Sequence, residues 1–216
     1  MQLKQLKNEL QHLLSGTNGA SYDALIQTVA GHLRSGESAG PMAKSKHQNK
    51  AQEAAGLIEF ARLNELLVEQ IPEERFIARG AEQRVYIVQG EFVVKLNDSI
   101  YYASWEDYFN NLLLHNFFFT DTAYSLLGFH LSEEVLYAVV QQPYILADQA
   151  TDLTQVKEFL ATNGFQNTRR HDYKHAELGL ILEDLHDENV LTADGILHFI
   201  DTVFYINPNI FWADNF

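Results

Sequence analysis

A polar loop followed by a tight hairpin, towards the carboxyl end of the chain, constrains the fold more than any other feature. Asp184 and Asn189 lie five residues apart in this loop, and the Asp194-Gly195 dipeptide that follows is the strongest short turn signal in the sequence. Apolar residues on both sides of the dipeptide predict the two strands of a hairpin. Because a hairpin folds the chain back on itself, Asp201, at the end of the second strand, is expected to return beside Asn189.

This arrangement would direct two carboxylates and one amide oxygen at a common volume. Such hard oxygen donors suit Mg²⁺ that holds nucleotide phosphates. The alternative interpretation is a polar turn between two strands with no ligand. The spacing of Asp184 and Asn189 alone does not decide between the two interpretations. The leucine and histidine inside the loop, together with the hairpin after it, resemble the phosphate site of kinases.

A lysine on a strand forms the second half of the pattern. Strands are predicted over Arg84–Val88 and Glu91–Leu96, with a hairpin turn at Gln89-Gly90, and Lys95 ends an apolar run. A lysine in that position is usually a surface residue whose stem lies over apolar neighbours. The order of strand, helix and hairpin between Lys95 and the polar loop is similar to that of kinases, in which a rigid strand aims a lysine at phosphates.

The first third of the chain is predicted to be helical. The predicted helices cover residues 2–14, 21–34 and about 51–69. Pro72 stops the third helix. Gly, Ser and Lys dominate residues 35–46, which predicts a mobile loop.

The remainder alternates strands with short helices. A helix at about Ser104–Phe118 has Ser104 as its cap. The other predicted elements are a hairpin of Gly128–Ser132 and Val135–Gln141, a helix at Thr154–Asn163 closed by Gly164, and an apolar strand at Leu178–Leu182. The sequence therefore predicts a helical segment over 1–72 and a separate domain of mixed helices and strands over 73–216.

The loop Asp184-Leu185-His186-Asp187-Glu188-Asn189 resembles the catalytic loop of protein kinases and, more closely, that of aminoglycoside and choline kinases. The other matching pieces are Val93-Val94-Lys95, Trp105-x-x-Tyr108-Phe109, Leu114-His115-Asn116-x-x-Phe119, Tyr124-x-x-x-Gly128-Phe129, Val140-x-Gln142-Pro143, Val190-Leu191 and Phe199-Ile200-Asp201. Together, residues 76–204 resemble the compact kinase domain found in polyvalent proteins of mobile genetic elements and in relatives from Bacteroides-type bacteria. This resemblance implies an α+β, protein-kinase-like fold with a β-rich N-lobe at about 73–142 and a truncated C-lobe at about 143–216, preceded by the α-helical segment.

The resemblance also implies roles for individual residues. Lys95 would bind the phosphates of ATP, and Asp184 would be the catalytic base or would orient the acceptor hydroxyl. His186 would lie near the transferred phosphate. Asn189 and Asp201 would hold Mg²⁺.

Four further positions are implied for the nucleotide. Gly80 would allow close approach of the backbone to the phosphates, and Val85 would contact the adenine. Gln142 lies where kinases place the hinge that reads adenine. Glu106 is the carboxylate expected to pair with Lys95, with Asp107 as the alternative; both also fit as acids at a helix N-terminus.

The sequence departs from ordinary kinases in several places. Gly80 is a single glycine where a full phosphate-binding motif has three. Leu182 replaces a histidine, and Thr202-Val203 follow Asp201 without the usual glycine. Only fifteen residues follow Asp201, so the activation segment and the helices that bind peptide substrates are absent from the pattern. The resemblance therefore implies nucleotide chemistry better than protein phosphorylation.

Composition excludes several classes of protein. The sequence has no cysteine, which rules out disulfides and thiolate metal sites. Residues 1–50 hold six Lys/Arg and three Asp/Glu, a net charge of +3, so the rest carries −17 of the total −14. An acidic body argues against general nucleic-acid binding, because such binding draws its affinity from the neutralisation of phosphates. The sequence shows neither a secretory signal nor a membrane span, which predicts a cytoplasmic protein.

These observations leave three functional hypotheses. The first is a phosphotransferase that uses ATP and Mg²⁺ on an unidentified hydroxyl of a small molecule or protein. The second is a catalytically weak or inactive kinase-like module, linked to mobile elements, that binds nucleotides or other proteins. The third is an acidic mimic of DNA. The apolar end of the chain, residues 204–212, is expected to be covered by the N-terminal helices or by a second copy of the chain.

Overall fold

The computed structural model describes residues 3–16, 23–37, 46–80 and 83–213. Most of the loop predicted to be mobile lies outside the described residues, as do Ala81 and Glu82. The chain divides into two compact units. The C-terminal unit comprises Met1–Asn18, Leu114–Thr122 and Ile145–Phe216, and the five-stranded unit comprises Gly19–Leu113 and Ala123–Tyr144.

The three helices predicted in the first third of the chain are present, with bounds shifted for the second and third. Their bounds are α1 Leu3–Leu14, α2 Ala24–Glu37 and α3 Lys46–Leu63. The first helix belongs to the C-terminal unit, and the other two belong to the five-stranded unit. The division of the chain into a helical segment over 1–72 and a kinase-like domain over 73–216 stays a prediction.

The third helix ends six residues earlier than predicted. Glu65 adopts a left-handed conformation with φ of 57°, and the Leu66 backbone N–H donates to the Ala61 carbonyl at 2.8 Å. This is the hydrogen bond of a Schellman cap, which closes a helix by satisfying its last carbonyls. The prediction to Glu69 was wrong because apolar residues continue past the cap and mimic helical periodicity.

The five-stranded unit is built on one antiparallel sheet. Its strands are β1 Phe76–Arg79, β2 Gln83–Val88, β3 Phe92–Asn97, β4 Ser125–Ser132 and β5 Val135–Pro143, and helix α4 Trp105–Phe118 lies between β3 and β4 in sequence. The strand order is β1-β2-β3-β5-β4. The tight turns predicted after β2 and after β4 are present, with positive φ at Gln89, Gly90, Glu133 and Glu134.

One face of this sheet carries an apolar cluster. Tyr86, Val94, Leu96 and Val139 are buried there against one another. Their positions alternate along β2, β3 and β5 as the pleat of a strand requires. Alternate residues of the same strands therefore remain available for the opposite face, and Lys95 is one of them.

The segment after α3 adds to the edge of the sheet at β4. The Phe129 N–H donates to the Leu66 carbonyl, and the Val68 N–H donates to the Phe129 carbonyl, each at 2.8 Å. Gly128 permits this approach, because a Cβ atom on it would lie 2.2 Å from the Leu66 carbonyl oxygen. The chain between helix and sheet is thus held by backbone bonds that only glycine allows.

The C-terminal unit contains two further sheets. Its elements are α5 Leu153–Thr162, β6 Gln166–Arg169, β7 Asp172–His175, β8 Leu180–Glu183, β9 Val190–Ala193, β10 Ile196–Phe199, β11 Val203–Ile206 and α6 Pro208–Phe211. The larger sheet has the order β11-β8-β7-β6, and β9 pairs with β10 across the predicted Asp-Gly turn. The sequence did not predict β6, β7 or β11.

Aromatic side chains form the core of this unit. Phe119 stacks on Phe199 with ring centroids 4.2 Å apart, and Phe118 stacks on Phe204 at 5.5 Å. The last turn of α4 and the residues after it therefore pack on the strands that flank Asp201.

Helix α1 covers part of the apolar end of the chain. Lys7 is buried, and its ammonium donates to the carbonyls of Ile210 and Ala213 at 2.7 and 2.9 Å. Gln11 donates to the Phe211 carbonyl, and the Phe211 side chain is fully buried. Among the described residues, no helix combines the length and apolarity that crossing a membrane requires.

Candidate functional site

The polar loop between β8 and β9 holds Asp184 by hydrogen bonds from inside the loop. The Asn189 amide nitrogen donates to the Asp184 carbonyl at 2.8 Å and to its Oδ2 at 3.1 Å. His186 Nε2 lies 3.5 Å from Asp184 Oδ1. Three of the residues singled out from the sequence are therefore neighbours, and the Asp184 carboxylate remains more than half exposed, at 61%.

Asp184 adopts a left-handed backbone conformation with φ of 66°. Few residues other than glycine take it, although Asp and Asn do so more often than others. The conformation is fixed on both sides: the Asp184 N–H donates to Asp172 Oδ1 at 3.3 Å, and its carbonyl accepts from the His186 N–H at 3.0 Å. Backbones held in such sparsely populated regions are concentrated at functional sites.

The hairpin of β9 and β10 returns the chain to this loop. The N–H groups of Ile200 and Asp201 both point at the Asn189 carbonyl, at 2.9 and 3.3 Å. Asp201 therefore lies beside Asn189, as the Asp-Gly turn predicts. Asp184, Asn189 and Asp201 are brought together by backbone and side-chain bonds of one unit.

These oxygen donors suit a hard divalent cation. The Asn189 nitrogen is engaged by Asp184, so its Oδ1 is the atom that can ligate a metal. Within the described part of the chain, no group of three His, Cys, Asp or Glu residues is arranged to hold a metal. The set here is different, since it combines two carboxylates with an amide oxygen, and that combination fits Mg²⁺ bound together with phosphate oxygens.

Negative charge is concentrated around the loop. Burial raises the pKa of Glu183 above its usual value, and the neighbouring carboxylates of Asp172 and Asp184 raise it further. Like charges this close repel one another, and a bound cation would relieve the repulsion. The electrostatics of the loop therefore favour a cation there.

Lys95 lies in the middle of the five-stranded sheet. It stands opposite Val85 of β2 and Val140 of β5, and its side chain is only 4% exposed. Its Nζ lies 3.2 Å from the Tyr124 hydroxyl and 5.2 Å from the centre of the Tyr124 ring. The alternative of a solvent-exposed surface lysine does not hold, because this ammonium is buried and oriented by an aromatic side chain.

The remaining predicted nucleotide residues lie in the same unit as Lys95. The Gly80 N–H donates to the Gln83 carbonyl at 2.8 Å and closes the β1–β2 turn. Gln142 is buried opposite Val93. Glu106 forms an ion pair with Arg34 of α2 at 3.3 Å. Its pairing with Lys95 stays a prediction.

The model of a family described as Serine/Threonine/Tyrosine Kinase found in polyvalent proteins matches residues 50–208. This match covers more than half of the 216 residues. The chain belongs to this kinase family. No curated protein matches the sequence.

Membership of the polyvalent-protein kinase family confirms the α+β, kinase-like fold, with its β-rich sheet unit and the helices before it. The order β1-β2-β3-α4-β4-β5 carries the strand lysine on β3, as that fold requires. The closer likeness to aminoglycoside and choline kinases stays a prediction. The match begins at Lys50, inside α3, so the family's domain includes most of that helix.

Two residues of α3 that were not predicted as site residues, Lys50 and Glu53, bond to the start of α4 and to the residues just before it. Lys50 donates to the carbonyls of Ser99 and Tyr102 at 2.5 and 2.8 Å. Glu53 is buried, and its Oε2 accepts from the Trp105 N–H, the first of α4, at 2.7 Å. A carboxylate at a helix N-terminus satisfies free N–H groups and complements the dipole. The signal in the sequence was an acidic residue, Glu53, on the face of α3 that also carries the buried Leu57 and Ala61.

Proposed function

We propose that this member of the polyvalent-protein kinase family is a phosphotransferase that uses ATP and Mg²⁺ on a hydroxyl acceptor. The observation that supports it most is the bonded arrangement of Asp184, Asn189 and Asp201. These residue types at these positions correspond to the hydroxyl-orienting and metal-binding residues of kinases. Lys95, which is buried on β3, supports the same assignment.

Each residue has a definite task in this proposal. An oxygen of Asp184 accepts a hydrogen bond from the acceptor hydroxyl. Asp184 takes the hydroxyl proton as the hydroxyl oxygen bonds to the γ-phosphorus of ATP, while the bond from that phosphorus to the bridging oxygen breaks and ADP leaves. Asn189 fixes Asp184 through its amide nitrogen, and Asn189 Oδ1 and the Asp201 carboxylate hold the metal. Bound Mg²⁺ supplies neutralisation of charge on the phosphate oxygens.

Lys95 and His186 contribute charge and hydrogen bonds. Lys95 donates from its ammonium to phosphate oxygens of the nucleotide, and the Tyr124 hydroxyl and ring keep that ammonium in place. His186, beside Asp184, donates to the phosphoryl group in transfer. Catalysis of this kind consists mainly of positioning and charge stabilisation.

The decisive experiment measures ATP binding and turnover separately. Thermal shift with ATP and Mg²⁺ reports binding, since a ligand of the folded state raises its stability. Release of ADP, with water as acceptor, reports turnover. Asp184→Asn should lower turnover by about a hundredfold or more while the thermal shift remains.

A matched control is available in the same unit. Asp194 also has a positive φ, of 51°, and is exposed in the hairpin turn, so Asp194→Asn makes the same chemical change away from the loop. It should leave both readings as in the wild type. Turnover that survives Asp184→Asn would reject the catalytic assignment.

A nucleotide-binding module without turnover is the second candidate. The single glycine at the β1–β2 turn and the engagement of Glu106 by Arg34 favour it. It predicts a thermal shift with ATP and Mg²⁺, lost in Lys95→Met, and no ADP release in the wild type. Absence of a shift at millimolar ATP would contradict both candidates.

A further inference from the structure

His115, in the last turn of α4, is fully buried and has bonds at both ring nitrogens. Its Nδ1 lies 2.7 Å from the Thr202 hydroxyl, and its Nε2 lies 3.0 Å from the Thr122 carbonyl oxygen. A carbonyl can only accept, so Nε2 carries a hydrogen. In the neutral ring, Nδ1 then accepts from the Thr202 hydroxyl. This ring therefore links Thr202 to the short 3-10 helix Thr120–Thr122.

Thr122 makes a second hydrogen bond to the segment around Asp201, at the end of strand β10. Its hydroxyl donates to the Phe199 carbonyl at 2.5 Å, and Thr122 is fully buried. Phe199 is the last residue of β10, and its ring is stacked on Phe119. The backbone of β10 is thus fixed two residues before Asp201, while the bond between His115 and Thr202 fixes the residue immediately after it.

A third attachment comes from the polar loop. The Asn189 carbonyl accepts from the N–H groups of Ile200 and Asp201. The four residues from Phe199 to Thr202 are therefore held at a carbonyl, at two amides and at a side-chain hydroxyl. Buried polar groups bonded in this way are rigid, because breaking any bond leaves an unsatisfied group in the interior.

We infer that His115 and Thr202 are positioning residues that fix the direction of the Asp201 carboxylate for the metal of the bound nucleotide. This inference rests on the proposed function, because Asp201 is a metal ligand only there. Neither residue touches the metal; His115 acts through Thr202, and Thr202 acts through the backbone of its neighbour. Groups that orient metal ligands in this manner change metal affinity about 10–100-fold when they are removed.

The test is the affinity for Mn²⁺ in the presence of adenylyl imidodiphosphate, measured from free Mn²⁺ by electron paramagnetic resonance. Thr202→Val keeps the shape of the side chain and removes its hydroxyl. We expect it to weaken Mn²⁺ binding about tenfold or more. Thr202→Ser keeps the hydroxyl and should bind as the wild type does.

Thr192→Val is the matched control. Thr192 is another buried threonine of the same unit, and its hydroxyl bonds to Thr151 at 2.9 Å rather than to the segment around Asp201. It should lower thermal stability in the same way as Thr202→Val and leave the Mn²⁺ affinity unchanged. If Thr202→Val does not fold, Thr202→Ala, which is smaller, replaces it with the same expected loss.

The outcomes separate the inference from the function on which it rests. Wild-type protein that binds no Mn²⁺ with the nucleotide analogue overturns the proposed function, and the inference with it. Wild-type binding together with unchanged affinity in Thr202→Val, or an equal loss in Thr192→Val, overturns the inference alone. Selective loss in Thr202→Val, restored in Thr202→Ser, supports it.

Discussion

The carboxylates at the end of β8 show how single residues set the electrostatics of the polar loop. Glu183 is half-buried, next to Asp172 and Asp184, and its raised pKa follows from burial first and from these charges second. A raised pKa in the folded state means that the folded chain binds this proton more readily than the unfolded chain does. Glu183 therefore favours folding at low pH and opposes it as the pH rises through its raised pKa.

Glu183→Gln should consequently stabilise the protein at neutral pH. Glutamine has nearly the same shape and no charge, so it removes the repulsion that ionised Glu183 experiences. The gain in the melting temperature should be present at pH 7 and should disappear below about pH 4, where the unfolded glutamate is itself protonated. Melting curves of both proteins between pH 4 and 8 measure this.

Glu188→Gln serves as the control for that substitution. Glu188 lies in the same loop but is exposed, and such surface changes shift stability by about 0.5 kcal/mol or less. A gain for Glu183→Gln that is equal at pH 4 and pH 7 would show that the charge of Glu183 is not its cause.

At the scale of elements, the attachment of the segment after α3 to β4 depends on Gly128. Its φ is 148°, and an added Cβ would lie 2.2 Å from the Leu66 carbonyl oxygen. The substitution Gly128→Ala must therefore displace the backbone at Leu66, and it also places an alanine in an unfavourable backbone conformation. We expect the free energy of unfolding to fall by about 2–4 kcal/mol. Urea denaturation gives this value.

Gly90→Ala separates steric overlap from backbone strain. Gly90 also has positive φ, of 76°, but nothing lies within 4 Å of an added Cβ. The loss there should be about 1–2 kcal/mol, the cost of a left-handed conformation for a residue with a side chain. Equal losses at the two glycines would contradict the close approach of Leu66.

The elements that the sequence predicts well are those whose signal is local. The Asp194-Gly195 turn and the cap at Ser104 are present where expected, because a turn or a cap is decided by a few adjacent residues. Strands β6 and β7 were missed because they are short and polar, and their pairing with each other and with β8 is what defines them. Asp201 beside Asn189 was predictable for the same local reason as the turn.

The contacts that orient the candidate site were not predictable in this way. Tyr124 holds Lys95, and His115 bonds to Thr202, across 29 and 87 residues of sequence. The residue types are compatible with ordinary core packing, so no pattern in the sequence identifies these partners. The chemistry of the ligands could be read from motifs, whereas the groups that hold them depend on the tertiary fold.

For the whole molecule, the three N-terminal helices are divided between the two compact units. Helix α1 belongs to the unit formed mainly by residues 145–216, while α2 and α3 belong to the unit built on the five-stranded sheet. The family match begins inside α3, so α1 and α2 lie before it. Leucine periodicity predicts that all these helices bury an apolar face, but it does not indicate against what.

The attachment of α1 gives a prediction about the stability of the chain. Lys7 is 2% exposed, and its ammonium satisfies the carbonyls of Ile210 and Ala213, about 200 residues away in sequence. Lys7→Met keeps the length of the stem and leaves both carbonyls without this donor. Because unsatisfied buried acceptors are costly, the free energy of unfolding should fall by about 1–3 kcal/mol.

Lys4→Met is the matched control, since it is the same substitution on the exposed side of the same helix. It should change stability by about 0.5 kcal/mol or less. Hydrogen exchange adds a local measurement: the amides of Ile210 and Phe211 should exchange faster in Lys7→Met than in Lys4→Met. If the two variants melt and exchange alike, then α1 packs on the C-terminal residues through its apolar face alone, and the buried ammonium does not contribute to holding the two ends of the chain together.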